Sequence, residues 1–288
     1  MENWDELRTA YEVTRHGTVS GAAAALGVHH ATVIRHVDAL EARLGVKLFQ
    51  RHARGYAPTE AGEELARVAK ASDDQFSQLA SRLKGGGDAV TGDLVVTTLP
   101  GLAERLAPAF ASFQAAHRQV VLHLRTGRRL FRLEYGEAHL AIRAGKAPEE
   151  PDNVVQPFDV LDAGLYVAGS YIARRGDPRE GIAGHDFVGP EEGEKGPPTF
   201  EWLRAEVPPE RVVFRSNDQQ AIAAAVRAGT GLGFLDTREA DGLIEVMAPR
   251  PEWSSQIWLV THVDLHRSAK VQALTKHLKE AGRGAVPG

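Results

Sequence analysis

Apolar residues recur along this chain in two rhythms. Up to about residue 84 they fall three and four apart, the period of helices; beyond residue 92 they come as short runs between helical segments. In the first region Trp4, Leu7, Tyr11 and Thr14 mark an amphipathic helix ended by His16-Gly17, with Trp4 and Tyr11 expected as core aromatics. Ser20 is an N-cap by type. Gly21 and Ala22 to Ala25 then form a run small enough for another helix to lie against it, closing at Leu26-Gly27, where Gly suits a left-handed C-terminal position. Val33, Val37, Leu40 and Leu44, spaced four, three and four apart, make one apolar stripe, so Ala31, Arg35, Asp38 and Ala42 face away from it. A short Ala-rich helix, a Gly turn and a longer helix form the pattern of a helix-turn-helix, whose second helix puts its first residues into the major groove.

A basic hairpin with Arg51 and Arg54 ends at Gly55. Pro58 stops it, and Thr59 caps a helix whose first turn carries Glu60, Glu63 and Glu64. Leu65, Val68, Ser72, Phe76, Leu79 and Leu83 follow at helical spacing to about Lys84, a rod of roughly 39 Å at 1.5 Å per residue. Such a stripe calls for a partner helix, a dimer seam; packing on the chain's own C-terminal body is the alternative, disfavoured by the flexible linker Gly85-Gly86-Gly87-Asp88. Beyond it the runs Leu94 to Thr98, Val120 to Leu124, Leu140 to Arg143, Gly164 to Ala168, Val212 to Phe214, Gly231 to Leu235 and Ile257 to Thr261 alternate with helical segments such as Leu102 to Ala116 and Gln219 to Ala228. That alternation predicts a mainly parallel α/β domain.

The stretch LGVHHATVIRHVDALEARLGVKLFQRHARGYAPTEAG resembles the N-terminal winged helix-turn-helix of LysR-type transcriptional regulators, in the order helix, turn, recognition helix, LeuGlu, LeuGly, LeuPheXxxArg, Thr-Glu-Ala-Gly. A three-helix bundle without DNA would explain the apolar seam but not Arg51 and Arg54 in a short hairpin. YGEAHLAIRAG and YVAGSYIARRGDPREGIAGHDFVG resemble a large subgroup of the family, with His139 where Asp is usual. The resemblance implies an α/β chain with an N-terminal winged helix-turn-helix, a long linker helix and a two-lobed, periplasmic-binding-protein-like effector domain. The expected boundaries are 1–58, 59–87 and 88–288, with lobe I at about 92–160 and 264–288 and lobe II at about 161–263.

By the same resemblance His30, Ala31, Ile34 and Arg35 occupy the positions of base-contacting residues. Arg35 can pair with guanine or hold a phosphate. Ile34 stands where a serine is common and either meets a thymine methyl or is half-buried beside Val33 and Val37. Ser20 and Thr32 reach phosphates or only cap, and Arg51 and Arg54 lie along the backbone or in the minor groove. His29-His30 is not read as a metal site, because adjacent helical residues do not share a face. Effectors in such folds sit between lobes at strand ends and helix N-termini. The candidates are Thr98, Leu99, Pro100 and Gly101, then Arg143 (for an anion or a surface salt bridge), Pro190, Glu191, Ser216 and Asn217; Asn217 and Asp218 alternatively cap the next helix. Leu99 replaces a small hydroxyl residue and Pro100 removes a donor, so the pocket is expected to be more apolar or to bind its ligand less firmly. The glycines of AVRAGTGLGF follow a helix instead of preceding one, which argues against a phosphate loop.

A length of 288 residues suits about two domains at roughly 100–200 residues each. The net charge of −4 means that DNA affinity must come from a local patch, and between Val28 and Gly55 the bases Arg35, Arg43, Lys47, Arg51 and Arg54 outnumber the acids Asp38 and Glu41. There is no cysteine, which removes disulfides and cysteine zinc sites and fits a reducing cytoplasm. An acidic N-terminus and the lack of a bilayer-length apolar stretch predict a soluble cytoplasmic protein. No nucleophile elbow, HisGluXxxXxxHis or Walker lysine is present, so neither catalysis nor a cofactor or metal is expected. The expected partners are a partly palindromic DNA duplex, a small organic acid or aromatic effector, and further copies as a homodimer or homotetramer. The alternative is a ligand-binding or interaction module whose DNA head is vestigial.

Overall fold

The computed structural model describes residues 4–52, 55–83, 90–127 and 131–284. The chain divides into two compact units, Met1–Ala89 with Phe131–Ala138, and Val90–Leu130 with His139–Gly288.

The first unit begins with α1 (Trp4–His16), α2 (Val19–Leu26) and α3 (His30–Leu44), followed by the antiparallel hairpin β1 (Phe49–His52) and β2 (Gly55–Pro58) and by α4 (Glu60–Leu83). Ala10, Val13, Ala22, Ala23, Val33, Val37, Leu40, Leu48 and Phe49 form its core. Small residues on α2 meet the Val33–Val37–Leu40 seam of α3 as the spacing requires, and Gly27 ends α2 in the left-handed region at φ 66°. Three details differ from expectation. The N-cap of α2 is Thr18, whose hydroxyl accepts the Gly21 N–H at 3.1 Å; the helix starts at Val19, so Ser20 falls in its exposed first turn. Leu44 is 43% exposed, because the last helical position lies where Gly45 already turns the chain away. Trp4 is 38% exposed with its ring edge-on to Phe76 at 5.2 Å, and Tyr11 is only half-buried. The inward face of α1 instead carries Glu6, Thr9, Ala10 and Val13. Its polar members, and the buried Glu12 beside them, are paired: Glu6 with Arg43, Glu12 with His16 at 3.2 Å, and the Thr9 hydroxyl with the Asp5 carbonyl at 2.6 Å and His36 Nδ1 at 2.9 Å.

The Thr-Glu-Ala-Gly motif has a local cause. Thr59 N–H donates to the Leu48 carbonyl at 2.9 Å, its hydroxyl donates to the Lys47 carbonyl at 2.7 Å, and that hydroxyl accepts the Gly62 N–H at 3.2 Å. A Cβ at Gly62 would lie 2.1 Å from the Leu48 carbonyl oxygen, so only glycine lets α4 approach this closely. Along α4, Val68 is 42% and Phe76 55% exposed. The side chains of Leu79 and Leu83, and the linker Gly85 to Asp88, lie outside the described residues.

The second unit holds a five-stranded sheet ordered β4-β3-β5-β12-β6, from β3 (Gly92–Thr98), β4 (Val120–Thr126), β5 (Leu140–Ala144), β6 (Asn153–Leu161) and β12 (Ser255–His262). One face packs under α5 (Pro100–Ala116) and α10 (Ala269–Gly284), through Leu94, Val96, Leu102, Phe113, Ile142, Leu259, Val271 and Leu274; a short α9 (Val263–His266) follows β12. The other lobe contains β7 (Ala163–Val167), α6 (Gly169–Arg175), β8 (Phe187–Gly189), α7 (Pro198–Glu206), β9 (Val212–Arg215), α8 (Gln219–Arg227), β10 (Gly233–Asp236) and β11 (Ile244–Met247). Its sheet runs β10-β7-β11, and β8 pairs with β9 and bridges to Leu232. In the subgroup motif, the Tyr171 hydroxyl accepts the Asp186 N–H at 2.8 Å while Arg175 and Arg211 hold the Asp186 carboxylate at 2.8 and 3.3 Å.

The sheets are mixed, not mainly parallel: β3 is parallel to β4 and β5, but β12 is antiparallel to β5 and β6, and β7 is antiparallel to both its neighbours. Two of the antiparallel strands, β6 and β11, escape the pattern of apolar runs. β6 carries Pro157, tolerated because β6 is an edge strand. The chain also returns to the first sheet earlier than expected: β12, placed by sequence in lobe II, is the fourth strand of lobe I. An apolar run declares burial, not which sheet it joins. His139 is buried; its N–H donates to the Val95 carbonyl at 2.8 Å and its Nδ1 accepts the Val95 N–H at 3.0 Å, so the ring supplies an acceptor where an acid is usual in the subgroup.

Candidate functional site

On the first unit, the α2–α3 turn presents its polar surface as expected. Ser20, His30, Ala31, Ile34 and Arg35 are exposed, with Ile34 at 39%, and Thr32 is half-buried. Ser20, Ala24, Gly27, Val28, His30 and Ala31 line a shallow open groove. Arg35 makes no hydrogen bond or ion pair among the described residues, so its guanidinium is available. The other bases of the stretch are differently placed. Arg43 pairs with Glu6, Lys47 with Glu41 at 2.7 Å, and Arg51 with Asp38 and, at 3.3 Å, with Glu41. Arg54 lies outside the described residues. Three of the five bases counted along the sequence are thus paired inside the head.

Glu41 is the centre of this arrangement. It is buried, and besides the two cations its carboxylate accepts the Leu48 and Phe49 N–H groups at 2.9 and 3.2 Å. Burial pushes its pKa up, but Lys47 and the two backbone donors outweigh burial and hold it below the ordinary glutamate value. The LeuGlu and LeuPheXxxArg motifs are therefore two ends of one contact set joining α3 to β1.

On the second unit, Thr98 ends β3 and Leu99 is the N-cap residue of α5, with Pro100 at its first turn. Leu99 makes no side-chain cap and packs on the first lobe's core; the buried Thr98 hydroxyl has no hydrogen-bond partner among the described residues. A Cβ at Gly101 would lie 3.9 Å from Gln219 Cβ, so the starts of α5 and α8 adjoin across the lobes. There Ser216 N–H donates to the Gly189 carbonyl at 3.0 Å, next to Pro190, and Asp218 caps α8 through the Gln220 N–H at 3.0 Å. Pro190 is buried, Ser216 half-buried, and Glu191 and Asn217 exposed. Among the described residues no hydrogen bond joins Arg143 to this group; its cross-strand neighbour is Trp258. Arg143 is half-buried and has no hydrogen-bond or ion-pair partner among the described residues, and burial pushes its guanidinium below its ordinary value.

Sequence reasoning missed a third cluster. Arg105 of α5 donates through Nη1 to Asp236 of β10 at 3.1 Å, and through Nη2 to Asp159 and, at 3.0 Å, to the Val160 carbonyl of β6. Arg238 adds a contact to Asp159 at 3.3 Å. One guanidinium thus ties the first lobe's helix and crossing strand to the second lobe. Burial, partly offset by Arg238 and Arg105, pushes the Asp236 carboxyl above its ordinary value; burial and the charge of Asp236 do the same to Glu239. Among the described residues no three metal-binding side chains converge, and no helix is long and apolar enough to cross a membrane.

A helix-turn-helix with a hairpin beside it, followed by a two-lobed α/β body, is the architecture of a one-chain regulator. Residues 4–63 match the bacterial regulatory helix-turn-helix protein, lysR family, and residues 87–283 match the LysR substrate binding domain. The chain belongs to the LysR family of transcriptional regulators. It is 26% identical over 301 residues to a transcriptional repressor of Pseudomonas aeruginosa (strain UCBPP-PA14), covering 97% of this chain and 92% of that one. It is 31% identical over 175 residues to a transcriptional regulator of Xanthomonas campestris pv. campestris (strain 8004), where the match spans 58% of this chain and only about half, 48%, of the relative. A solved full-length OxyR from Pseudomonas aeruginosa shares the fold at a TM-score of 0.69 and 18% identity, over 96% of this chain and 95% of that one.

Proposed function

We propose that this regulator reads duplex DNA with the start of α3, pairs with a second copy through α4, and responds to a small organic acid or aromatic effector held between the lobes. The observation that carries the DNA reading is Arg35: an exposed arginine on the recognition helix with no partner of its own among the described residues, beside Ser20, His30, Ala31, Thr32 and Ile34. A guanidinium so placed can take guanine or a phosphate. The exposed apolar side chains of Trp4, Val68 and Phe76 support a seam with a second copy, and paired heads suit a partly palindromic site. Arg143 supports an anionic effector, since a carboxylate would relieve the cost of its half-burial.

No catalytic step belongs to this reading. The effector would act by preferring one arrangement of lobes over another. A thermal-shift screen of small organic acids and aromatics against the full chain tests the effector; a true ligand at a hundred times its Kd adds about 2.7 kcal/mol. The expected result is a hit lost in Arg143→Gln. A panel of both classes with no hit, or a hit indifferent to Arg143, counts against the assignment.

A further inference from the structure

We infer that Arg51 is a positioning residue of the wing and not one of its DNA contacts. The inference rests on the DNA-reading proposal above. Arg51 stands on β1 opposite Tyr56, with its guanidinium 5.2 Å from that ring's centroid and Nη2 on Asp38 and on Glu41, both carried by α3. Glu41 is only 3% exposed and its carboxylate also holds the amides of Leu48 and Phe49, the first residues leading into β1. Two acids, Asp38 and Glu41, and two bases, Lys47 and Arg51, form a closed set of zero net charge. Swinging Arg51 out to a phosphate would strip the exposed Asp38 of its partner and leave Glu41 with Lys47 alone. The cluster therefore fixes the angle between the recognition helix and the wing, while Arg35, outside it, remains for the nucleic acid.

Nη2 meets both carboxylates while the planar guanidinium lies over the Tyr56 ring; a lysine ammonium, on a shorter stem and without that plane, does not keep all three contacts, whereas a phosphate contact it largely can. This separates the two roles with variants that keep the charge. The full chain and its Arg51→Lys, Arg51→Ala and Asp38→Ala variants are titrated with a mixed-sequence 40-base-pair duplex across a salt series, and hydrogen exchange is followed at Leu48, Phe49 and Tyr56. The positioning role predicts exchange at these amides faster by about tenfold or more in both Arg51 variants, as expected when local opening becomes easier. It also predicts weaker binding without rescue by lysine, a salt slope unchanged from the parent, and a smaller effect of Arg51→Ala once Asp38→Ala is present. Full rescue by lysine, or a slope shallower by about 0.9 as expected for one lost phosphate contact, overturns it. Should the parent chain fail to bind duplex DNA, the proposed function falls; the exchange data still decide whether Arg51 holds the wing, and unchanged protection in Arg51→Lys refutes that.

Discussion

The two units each bury carboxylates at the point that holds their geometry together, and the two sets behave in opposite ways. In the head, Glu41 collects two cations and two backbone amides, and its pKa is lowered despite burial. In the effector body, Asp236 and Glu239 are raised, because burial outweighs the arginines near them. Burial alone does not set the sign; the number of donors delivered to the carboxylate does. The head is built around a charge it wants, and the joint between the lobes carries charges it would be easier to protonate.

The largest effect expected from this contrast is on the head. Glu41→Ala leaves the Leu48 and Phe49 amides without their buried acceptor and should cost about 2–5 kcal/mol, roughly 1–3 for each amide, read by urea unfolding of the head's signals. Loss below about 1 kcal/mol would mean that water replaces the carboxylate easily. Next comes Arg105→Ala, which deprives Asp159 and Asp236 of a shared charged donor; about 1.5–3 kcal/mol should be lost from the effector body, with the head's transition unmoved. Equal shifts in both units would contradict the local character of that tie. Arg35→Ala should weaken specific DNA binding by about 1–3 kcal/mol with folding unaffected; equal loss on specific and random duplexes would make Arg35 a phosphate contact.

The smallest effect sharpens the comparison most. For Glu41 the folded pKa lies below the unfolded one, so its contribution is present above the ordinary glutamate value and disappears only as pH falls through the lowered one. For Asp236 and Glu239 the folded pKa lies above the unfolded one, so they cost stability as pH rises through their raised values, and acidification from neutrality toward the ordinary carboxylate range removes that cost. Mild acid should relieve that cost in the effector body before it touches the head, against an opposing loss from His266, whose pKa burial lowers, so the difference between the parent and Asp236→Asn in the melting temperature's response to pH isolates the carboxylate's part. A parent and an Asp236→Asn variant that respond alike to acid would reverse the assignment.

The head was far more legible in the sequence than the body, and the reason is distance along the chain. Glu41 reaches Leu48 and Phe49, and Thr59 reaches Lys47, so each motif encodes a contact with a near neighbour. The body's key tie joins residues 54 and 131 positions apart, and nothing in the spacing around Arg105, Asp159 or Asp236 announces it. Strand β12 was visible as an apolar run but not as the partner of β6, since burial on both faces looks alike in either sheet. Even in the head, periodicity alone misplaced Trp4. It identifies a stripe, and α1 buries the neighbouring one because Glu6 and Thr9 find partners there. Counting charges likewise did not show which bases are taken: Arg43 pairs with Glu6, an acid outside the counted stretch that only folding brings to it.

The central claim is that the exposed start of α3 delivers charge to duplex DNA. It is tested most directly by enriching duplexes from a random pool with the full chain, then measuring affinity for an enriched duplex against salt, in the parent and in Arg35→Ala. The account predicts enrichment of a shared, partly palindromic sequence and a logarithmic salt slope steeper than about −0.9, the value for a single phosphate, with the enriched sequence bound less well by Arg35→Ala. No enrichment, together with a slope near zero, would contradict it and leave the head a vestige on a ligand-binding body.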